Sequence, residues 1–161
     1  MRTNAVMQRY LSHIANVELP AHLLTSPQVV ALFASLPLAT GDGTLVLPWT
    51  PQGATIPRDH WADRTGYECF VNHVHLESVL GEDCDVSLVG VKLGLALGEH
   101  LAVHLADAGP VTIIVSFDGA SPVLRVHRTR PGERWLADDL EGYAEGVLVI
   151  ETAPPYRERP L

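Results

Sequence analysis

The chain has little cysteine, and neither of its two cysteines belongs to a recognisable motif. Cys69 and Cys84 have neither the paired spacing of a zinc knuckle nor the Cys-x-x-Cys spacing of a redox centre. Two thiols are also too few for the disulfide framework of a small secreted domain. We therefore expect a reducing compartment, and the cytoplasm is the predicted location.

Long apolar runs are also absent from the sequence. Residues 1–9 lack the uninterrupted apolar block of a signal peptide. No later stretch approaches the roughly 20 apolar residues that a membrane-spanning helix needs. The sequence therefore predicts that the protein has no membrane partner.

The common catalytic and phosphate-binding motifs are missing too. There is no Gly-x-Ser-x-Gly nucleophile elbow, and no glycine-rich loop ends in Lys-Ser or Lys-Thr. Cys69 stands between Glu68 and Phe70, and such neighbours raise the pKa of a thiol, so a reactive thiolate is not expected. Nucleotide binding and nucleophilic hydrolysis are therefore not indicated.

Positive charge is scarce, because 11 Lys and Arg residues stand against 19 Asp and Glu residues and give a net charge of -8. Residues 1–60 are balanced, so the whole deficit comes from residues 61–161. An acidic surface repels a phosphate backbone, which argues against nucleic acid as a partner. The same surface would speed the encounter with a basic protein.

What the sequence does contain predicts helices first. Apolar residues at helical spacing behind Thr3 indicate a helix over about residues 4–16, and Ser26-Pro27 is a typical start for a second, short helix. A third and longer helix should end near Ala108. Its stripe of glycines at i, i+4 and i+8 allows close approach of a neighbouring backbone, and we expect it to lie against a sheet: Gly90, Gly94 and Gly98.

The C-terminal half predicts antiparallel strands. Residues 111–117 and 123–130 read as a β-hairpin with one face in water, and residues 147–150 read as a fully buried strand. The 39–63 segment reads as a long irregular loop of undetermined role, and residues 153–161 as an extended or mobile tail. We predict one α+β domain over residues 1–161, with a mostly antiparallel sheet of about four to five strands, one long central helix and two N-terminal helices packed on it.

The octet 70–77 alternates apolar and polar residues, so it predicts a strand with His73, His75 and Glu77 on one face. Two imidazoles and a carboxylate are a plausible ligand set for Zn or Fe, and His100 and His104, spaced i, i+4, could add further ligands. The alternative is that these histidines are structural and hydrogen-bonded at the rim of an apolar face. Our main expectation is a protein without a cofactor.

A second group of residues suggests a surface for protein recognition. Basic residues of the hairpin precede an acidic run, and Trp and Arg are the residue types that concentrate binding energy at interfaces. The basic and acidic side chains could pair with one another across a turn, or they could bind a partner. The candidate residues are Trp49, Trp61, Arg125, Arg128, Arg130, Trp135, Asp138 and Asp139.

Three hypotheses for function follow from these patterns. The leading one is a non-enzymatic protein-binding protein of the bacterial immunity or antitoxin-inhibitor type, whose partner would be a basic toxin. The second is a small metal-dependent hydrolase or oxygenase that uses the His-x-His-x-Glu face. The third is a self-associating structural module that forms a homodimer.

Overall fold

A computed structural model of the protein describes residues 1–35, 38–40, 42–48, 57–80 and 86–152. The predicted tail at 153–161 and Trp49 lie outside the described residues. The described strands are β1 (Arg2–Thr3), β2 (Leu38–Ala39), β3 (Leu45–Val46), β4 (His73–His75), β5 (Val111–Phe117), β6 (Pro122–Arg128) and β7 (Gly146–Glu151). The α-helices among the same residues are α1 (Ala5–Ile14), α2 (Ala21–Leu24), α3 (Pro27–Ala34), α4 (Arg64–Val71) and α5 (Val86–His104).

Five strands form one antiparallel sheet in the order β1-β7-β5-β6-β4. The central strand β5 pairs with β6 through a tight turn, in which the Asp118 carboxylate accepts hydrogen bonds from the backbone amides of Ala120 and Ser121, each at 2.8 Å. Strands β2 and β3 form a separate two-stranded sheet. The predicted hairpin and the predicted α+β class are therefore confirmed.

Helix α5 packs on one face of the main sheet, and its glycine stripe faces the strands as predicted. A Cβ atom at Gly94 would lie 2.9 Å from Leu76 Cδ1 and 3.0 Å from Val115 Cγ1, so a larger residue there would require these two side chains to move. Helix α1 packs against both α5 and β7. The main core lies between these helices and this face of the sheet.

The opposite face of the sheet is covered rather than wet, which corrects the prediction for the hairpin. A smaller apolar cluster there joins Ile114, Val147 and Val149 to Leu140, which comes from the segment that follows β6. Helix α4 packs on β6 as well. The polar residues of β6 are thus held beneath other parts of the chain instead of facing solvent.

The octet 70–77 is only partly extended, which corrects another prediction. Residues up to Val71 belong to α4, only His73–His75 form a strand, and Leu76–Ser78 form a 3-10 helix. Helix α1 also begins one residue later than expected, because Asn4 rather than Thr3 caps it. Within the described residues, no helix has the length and apolar character needed to cross a bilayer.

Candidate binding cleft

A cleft lies on the face of the sheet that α5 does not cover. Strands β1, β5, β6 and β7 supply its floor, and residues 130–138 form its wall. It encloses about 260 Å³, which is just below the roughly 300–1,000 Å³ of sites for drug-sized molecules. The volume suits one large side chain better than an extended cofactor.

The charged side chains at the rim of the cleft are paired with one another. Arg2 lies 3.3 Å from the Glu151 carboxylate, and Arg134 forms an i, i+4 ion pair with Asp138. All four side chains are largely exposed, so these pairs contribute little to stability, about 0–1 kcal/mol each. Each pair joins one positive and one negative side chain, so the two pairs add no net charge to the rim of the cleft.

The base of the wall is held by a buried ion pair. Arg130 binds both carboxylate oxygens of Glu68, at 2.5 and 2.9 Å, and the Glu68 side chain is 0% exposed. Glu133, which also lines the cleft, accepts hydrogen bonds from the backbone amide and hydroxyl of Thr65 at 2.9 and 3.0 Å. Glu68 and Thr65 of α4 therefore hold Arg130 and Glu133, which lie at the start of the wall.

The floor carries an imidazole and two hydroxyl groups. His127 Nδ1 lies 2.8 Å from the Arg128 carbonyl oxygen, which can only accept, so Nδ1 carries the proton. Nε2 is then the unprotonated nitrogen of the neutral ring. The hydroxyl oxygens of Thr112 and Thr129 lie 2.7 Å apart beside it in the lining.

Trp135 lines the cleft and is still 39% exposed. The Arg125 guanidinium lies 5.9 Å from the centre of its ring and donates a hydrogen bond to the Ser116 hydroxyl at 3.3 Å. A cation over an indole face is an attractive contact, which helps to orient the ring.

Nearby Cys69 is buried, and this burial raises the pKa of its thiol, so the expectation of an unreactive cysteine holds.

The predicted metal ligands are not assembled into one site. His75 Nδ1 lies 3.0 Å from both Glu77 Oε1 and the Ser121 hydroxyl oxygen, and the His73 and His75 rings are 5.3 Å apart. These groups sit at the exposed β4 edge of the sheet. The Ser121 hydroxyl also donates to Glu77 Oε1 at 2.7 Å, so these contacts are hydrogen bonds between the end of β4 and the turn that precedes β6.

His100 and His104 are not part of that cluster. His100 Nε2 bonds to the Phe33 carbonyl oxygen at 2.8 Å, and His104 Nδ1 bonds to the His100 carbonyl oxygen at 2.8 Å. Both histidines lie near the C-terminal end of α5 and are hydrogen-bonded to backbone carbonyl groups. Among the residues that the structure describes, no three His, Cys, Asp or Glu side chains are placed to hold a metal ion.

Four of the predicted recognition residues do come together. Arg130, Trp135 and Asp138 line the cleft, and Arg125 lies beneath Trp135. The acidic and basic runs pair locally, as the Arg134 to Asp138 contact shows. Three of the candidate residues therefore lie in the wall of the cleft, and whether they bind a partner stays a prediction.

The other four predicted recognition residues lie elsewhere. Arg128 donates to the Ala108 carbonyl oxygen at 2.6 Å, and Asp139 accepts from the Glu141 amide at 3.0 Å, so both have local structural roles. Trp61 packs on Phe70, with ring centres 4.9 Å apart. Trp49 lies outside the described residues.

Sequence reasoning missed most of the polar floor and the far rim. Arg2 and Glu151 come together because β1 pairs with β7 across almost the whole chain, and no local pattern signals that pairing. Thr112 sits in a mostly apolar strand, and no motif marks it as a site residue. Only the alternation in β6 carried a signal, since it places Arg125 and His127 on one face.

We expect His127 to make the folded state less stable in mild acid. Burial lowers the pKa of His127 below its ordinary 6.5. The hydrogen bond to the Arg128 carbonyl oxygen opposes this shift most, the carboxylates of Glu68 and Asp63 oppose it less, and Arg130 lowers the pKa further. Below pH 6.5 the unfolded chain therefore binds more protons at this site, so the free energy of unfolding falls as the pH drops towards the folded pKa. Above pH 6.5 the imidazole is neutral in both states, so His127 causes no loss of stability there, and the loss is complete only below the folded pKa.

Urea denaturation at several pH values between 7.5 and 5 measures this effect. His127→Asn is the matched variant, because its amide can replace the Nδ1–H donor to Arg128 but does not titrate. The wild-type protein should lose more stability across this range than the variant. Parallel pH profiles for the two proteins would contradict the assignment.

Comparison with known proteins places the chain in a family but gives no function. The model of a family described as the Uncharacterized protein PM0498 family matches residues 2–158. No curated protein and no solved structure matches the chain. The matched residues include every strand of the main sheet and the whole lining of the cleft.

Proposed function

The chain belongs to the Uncharacterized protein PM0498 family, and we propose that it is a non-enzymatic, cytoplasmic protein-binding protein of the bacterial immunity or antitoxin-inhibitor type. The observation that carries this proposal is the cleft with a partly exposed tryptophan in its lining and with its charged groups already ion-paired or hydrogen-bonded within the chain. In this proposal, one side chain of a protein partner enters the cleft. Residues 131–145 form the surface around it.

The internal pairing of the polar groups supports binding over catalysis. Arg130 is committed to Glu68, and Glu133 is committed to Thr65. Catalytic groups have to reach a reacting atom, whereas groups that are already satisfied mainly shape a pocket. The small volume also suits a single anchoring side chain.

Trp135 has the properties of an interface anchor. Tryptophan and arginine dominate measured interface hot spots, and such residues occupy well-packed positions near pockets. Here Arg125 supports the indole from one side while 39% of the residue stays exposed. The side chain is thus already oriented, which reduces the entropy lost on binding.

The charge of the surrounding segment supports a basic partner. Residues 131–145 contain five acidic side chains and one basic side chain. Acidic groups at the edge of an interface raise the association rate of a basic protein, and salt weakens this effect. A basic toxin is a partner of that chemistry.

The test is to purify the partner from the source cell with the wild-type protein, identify it and measure its Kd. Trp135→Ala should weaken binding by about 2 kcal/mol, or roughly 30-fold in Kd, because it removes the proposed anchor. Val103→Ala is the matched control, since Val103 is 73% exposed on α5, away from the cleft. Its Kd should equal that of the wild type.

Three outcomes would count against the proposal. One is the recovery of no stoichiometric partner. Another is a Trp135→Ala variant that binds its partner as tightly as the wild type does. The third is an association rate that does not fall as salt concentration rises. Light scattering on the free protein would show whether a homodimer has to be included in the binding scheme.

A further inference from the structure

We propose that the cleft receives the phenol side chain of a tyrosine from the partner, an inference that rests on the proposed protein-binding function. The cleft has an apolar part and a polar floor, and its net charge is zero. Together these features select an uncharged side chain that has a large apolar body and a hydrogen-bond donor at its tip.

The charge balance argues against a charged anchor. Three arginines and three carboxylates line the cleft, and each has a partner of opposite charge or a hydrogen-bond partner: Arg2, Arg130, Arg134, Glu133, Asp138 and Glu151. A lysine or arginine would have to enter beside three guanidinium groups. A carboxylate would have to enter beside three others. Among the described lining residues Glu133 is the one carboxylate without an ion pair, and a cationic anchor would have to compete with the two hydrogen bonds that Thr65 already donates to it.

The apolar part of the lining calls for a ring or another large apolar group. Ile114 and Val149 lie side by side in β5 and β7, and Leu136 and Trp135 face them from the wall. An aromatic ring buries more apolar area than most side chains and makes favourable contacts with another ring. The body of the anchor therefore packs between the sheet and Trp135.

The floor calls for a donor at the tip of the anchor. Because His127 Nδ1 is committed to the Arg128 carbonyl oxygen, Nε2 offers only a lone pair. Among the described residues, no hydrogen bond is made to this nitrogen. A phenylalanine or leucine would cover it without a donor, which costs binding energy, whereas a phenol hydroxyl group can donate to it.

Thr112 and Thr129 also favour a hydroxyl group at the tip of the anchor. Thr112 and Thr129 share one hydrogen bond between their hydroxyl oxygens, so one of the two hydroxyl hydrogens and several lone pairs remain available. A phenol oxygen is both a donor and an acceptor, so it can bond to His127 and to one threonine at once. An indole N–H can only donate and could satisfy only one of these groups.

The test uses p-cresol as the probe and full-length protein in a ¹H–¹⁵N NMR titration. The matched probe is 4-methylanisole, which has the same ring but no hydroxyl hydrogen. We expect p-cresol to bind at least fivefold more tightly and to shift the signals of Thr112, Thr129 and Trp135. The His127 Nε2 resonance should move with p-cresol and not with 4-methylanisole.

The His127→Asn variant should reduce the preference for p-cresol over 4-methylanisole to less than twofold, while Val103→Ala should leave it unchanged. If His127→Asn does not fold, the Nε2 shift in the wild-type protein decides the question. Equal binding of the two probes would overturn the proposal. So would tighter binding of butylguanidinium or propionate, or the lack of any shift at the cleft with p-cresol.

Failure of this inference can be told apart from failure of the proposed function. If Trp135→Ala loses the protein partner but p-cresol does not compete with that partner, the anchor is not a phenol and the proposed function still stands. If Trp135→Ala keeps the partner, the proposed function itself is wrong. If the proposed function and the tyrosine anchor are both correct, p-cresol should weaken partner binding in the wild-type protein.

Discussion

Replacing Glu68 with alanine is expected to lower the free energy of unfolding by about 3–5 kcal/mol, because it leaves a largely buried arginine without its counter-charge. Both carboxylate oxygens of Glu68 bind Arg130, whose side chain is only 14% exposed. The same oxygens accept the backbone amides of Leu45 and Arg128, each at 2.7 Å. The variant therefore also loses the partner of two backbone donors.

Chemical denaturation of a double-mutant cycle measures this contribution. Arg130→Ala in the Glu68→Ala background should cost less than Arg130→Ala alone, since it removes the unpaired charge. Arg134→Ala is the control, because its ion pair with Asp138 is exposed and should contribute less than about 1 kcal/mol. Strict additivity of Glu68→Ala and Arg130→Ala would show that the two side chains are not coupled.

Asn72, which caps the C-terminal end of α4 one turn after Glu68, also holds backbone groups through buried hydrogen bonds. Its side-chain oxygen accepts the Leu47 amide at 2.8 Å, and its side-chain nitrogen donates to the carbonyl groups of Leu45 and Val126 at 2.8 and 3.1 Å. Two buried polar side chains, Glu68 in α4 and Asn72 directly after it, thus attach β3 to β6. Side-chain hydrogen bonds from Glu68 and Asn72 thus hold the two-stranded sheet of β2 and β3 against the main sheet.

These buried polar residues explain why the sequence did not predict α4. Four buried residues in and directly after α4, namely Thr65, Glu68, Cys69 and Asn72, follow a helical spacing of i, i+3, i+4 and i+7, and Val71 is buried beside them. Three of the four are polar, so a search for apolar periodicity passes over them. The alternation that starts at Phe70 then looked like a strand, although only its middle is extended.

The elements that could be predicted have local signals. The Ser26-Pro27 start of α3 is confirmed, because the Ser26 hydroxyl accepts the Val29 amide and Pro27 occupies the first helical position. The β5–β6 hairpin is confirmed as well, and the glycine stripe of α5 lies against the sheet. Propensity, capping and turn chemistry act within a few residues, so one sequence is enough to reveal them.

The cleft could be predicted only in part, because its walls come from opposite ends of the chain. Trp135 and the charges around it form one local run, and residue type alone identified them as recognition candidates. The floor requires β1 to pair with β7 and β5 to lie between β6 and β7. Strand order is a tertiary property, and hydrophobic alternation within a strand does not encode it.

Asn4→Ala is expected to lower the free energy of unfolding by about 3–5 kcal/mol, since one fully buried side chain serves both as a helix cap and as a tertiary link. The Asn4 side-chain oxygen accepts the amides of Met7 and Val147 at 2.9 and 3.0 Å. Its nitrogen donates to carbonyl groups of the segment that follows the cleft wall, the shortest bond being 2.7 Å to Glu145. Removing it leaves buried donors and acceptors unsatisfied at three elements.

The Ser26→Ala variant separates the two roles of Asn4. Ser26 caps α3 with a single bond to Val29 at 3.3 Å, so its loss should cost only the usual price of a cap, about 0.5–2 kcal/mol. Denaturation of Asn4→Ala should therefore show a clearly larger loss, and hydrogen exchange should speed up around Leu140 and Glu145. Equal losses for the two variants would mean that Asn4 acts as a cap alone, and the wall of the cleft would then be anchored through Glu68 and Arg130 without help from the N-terminus.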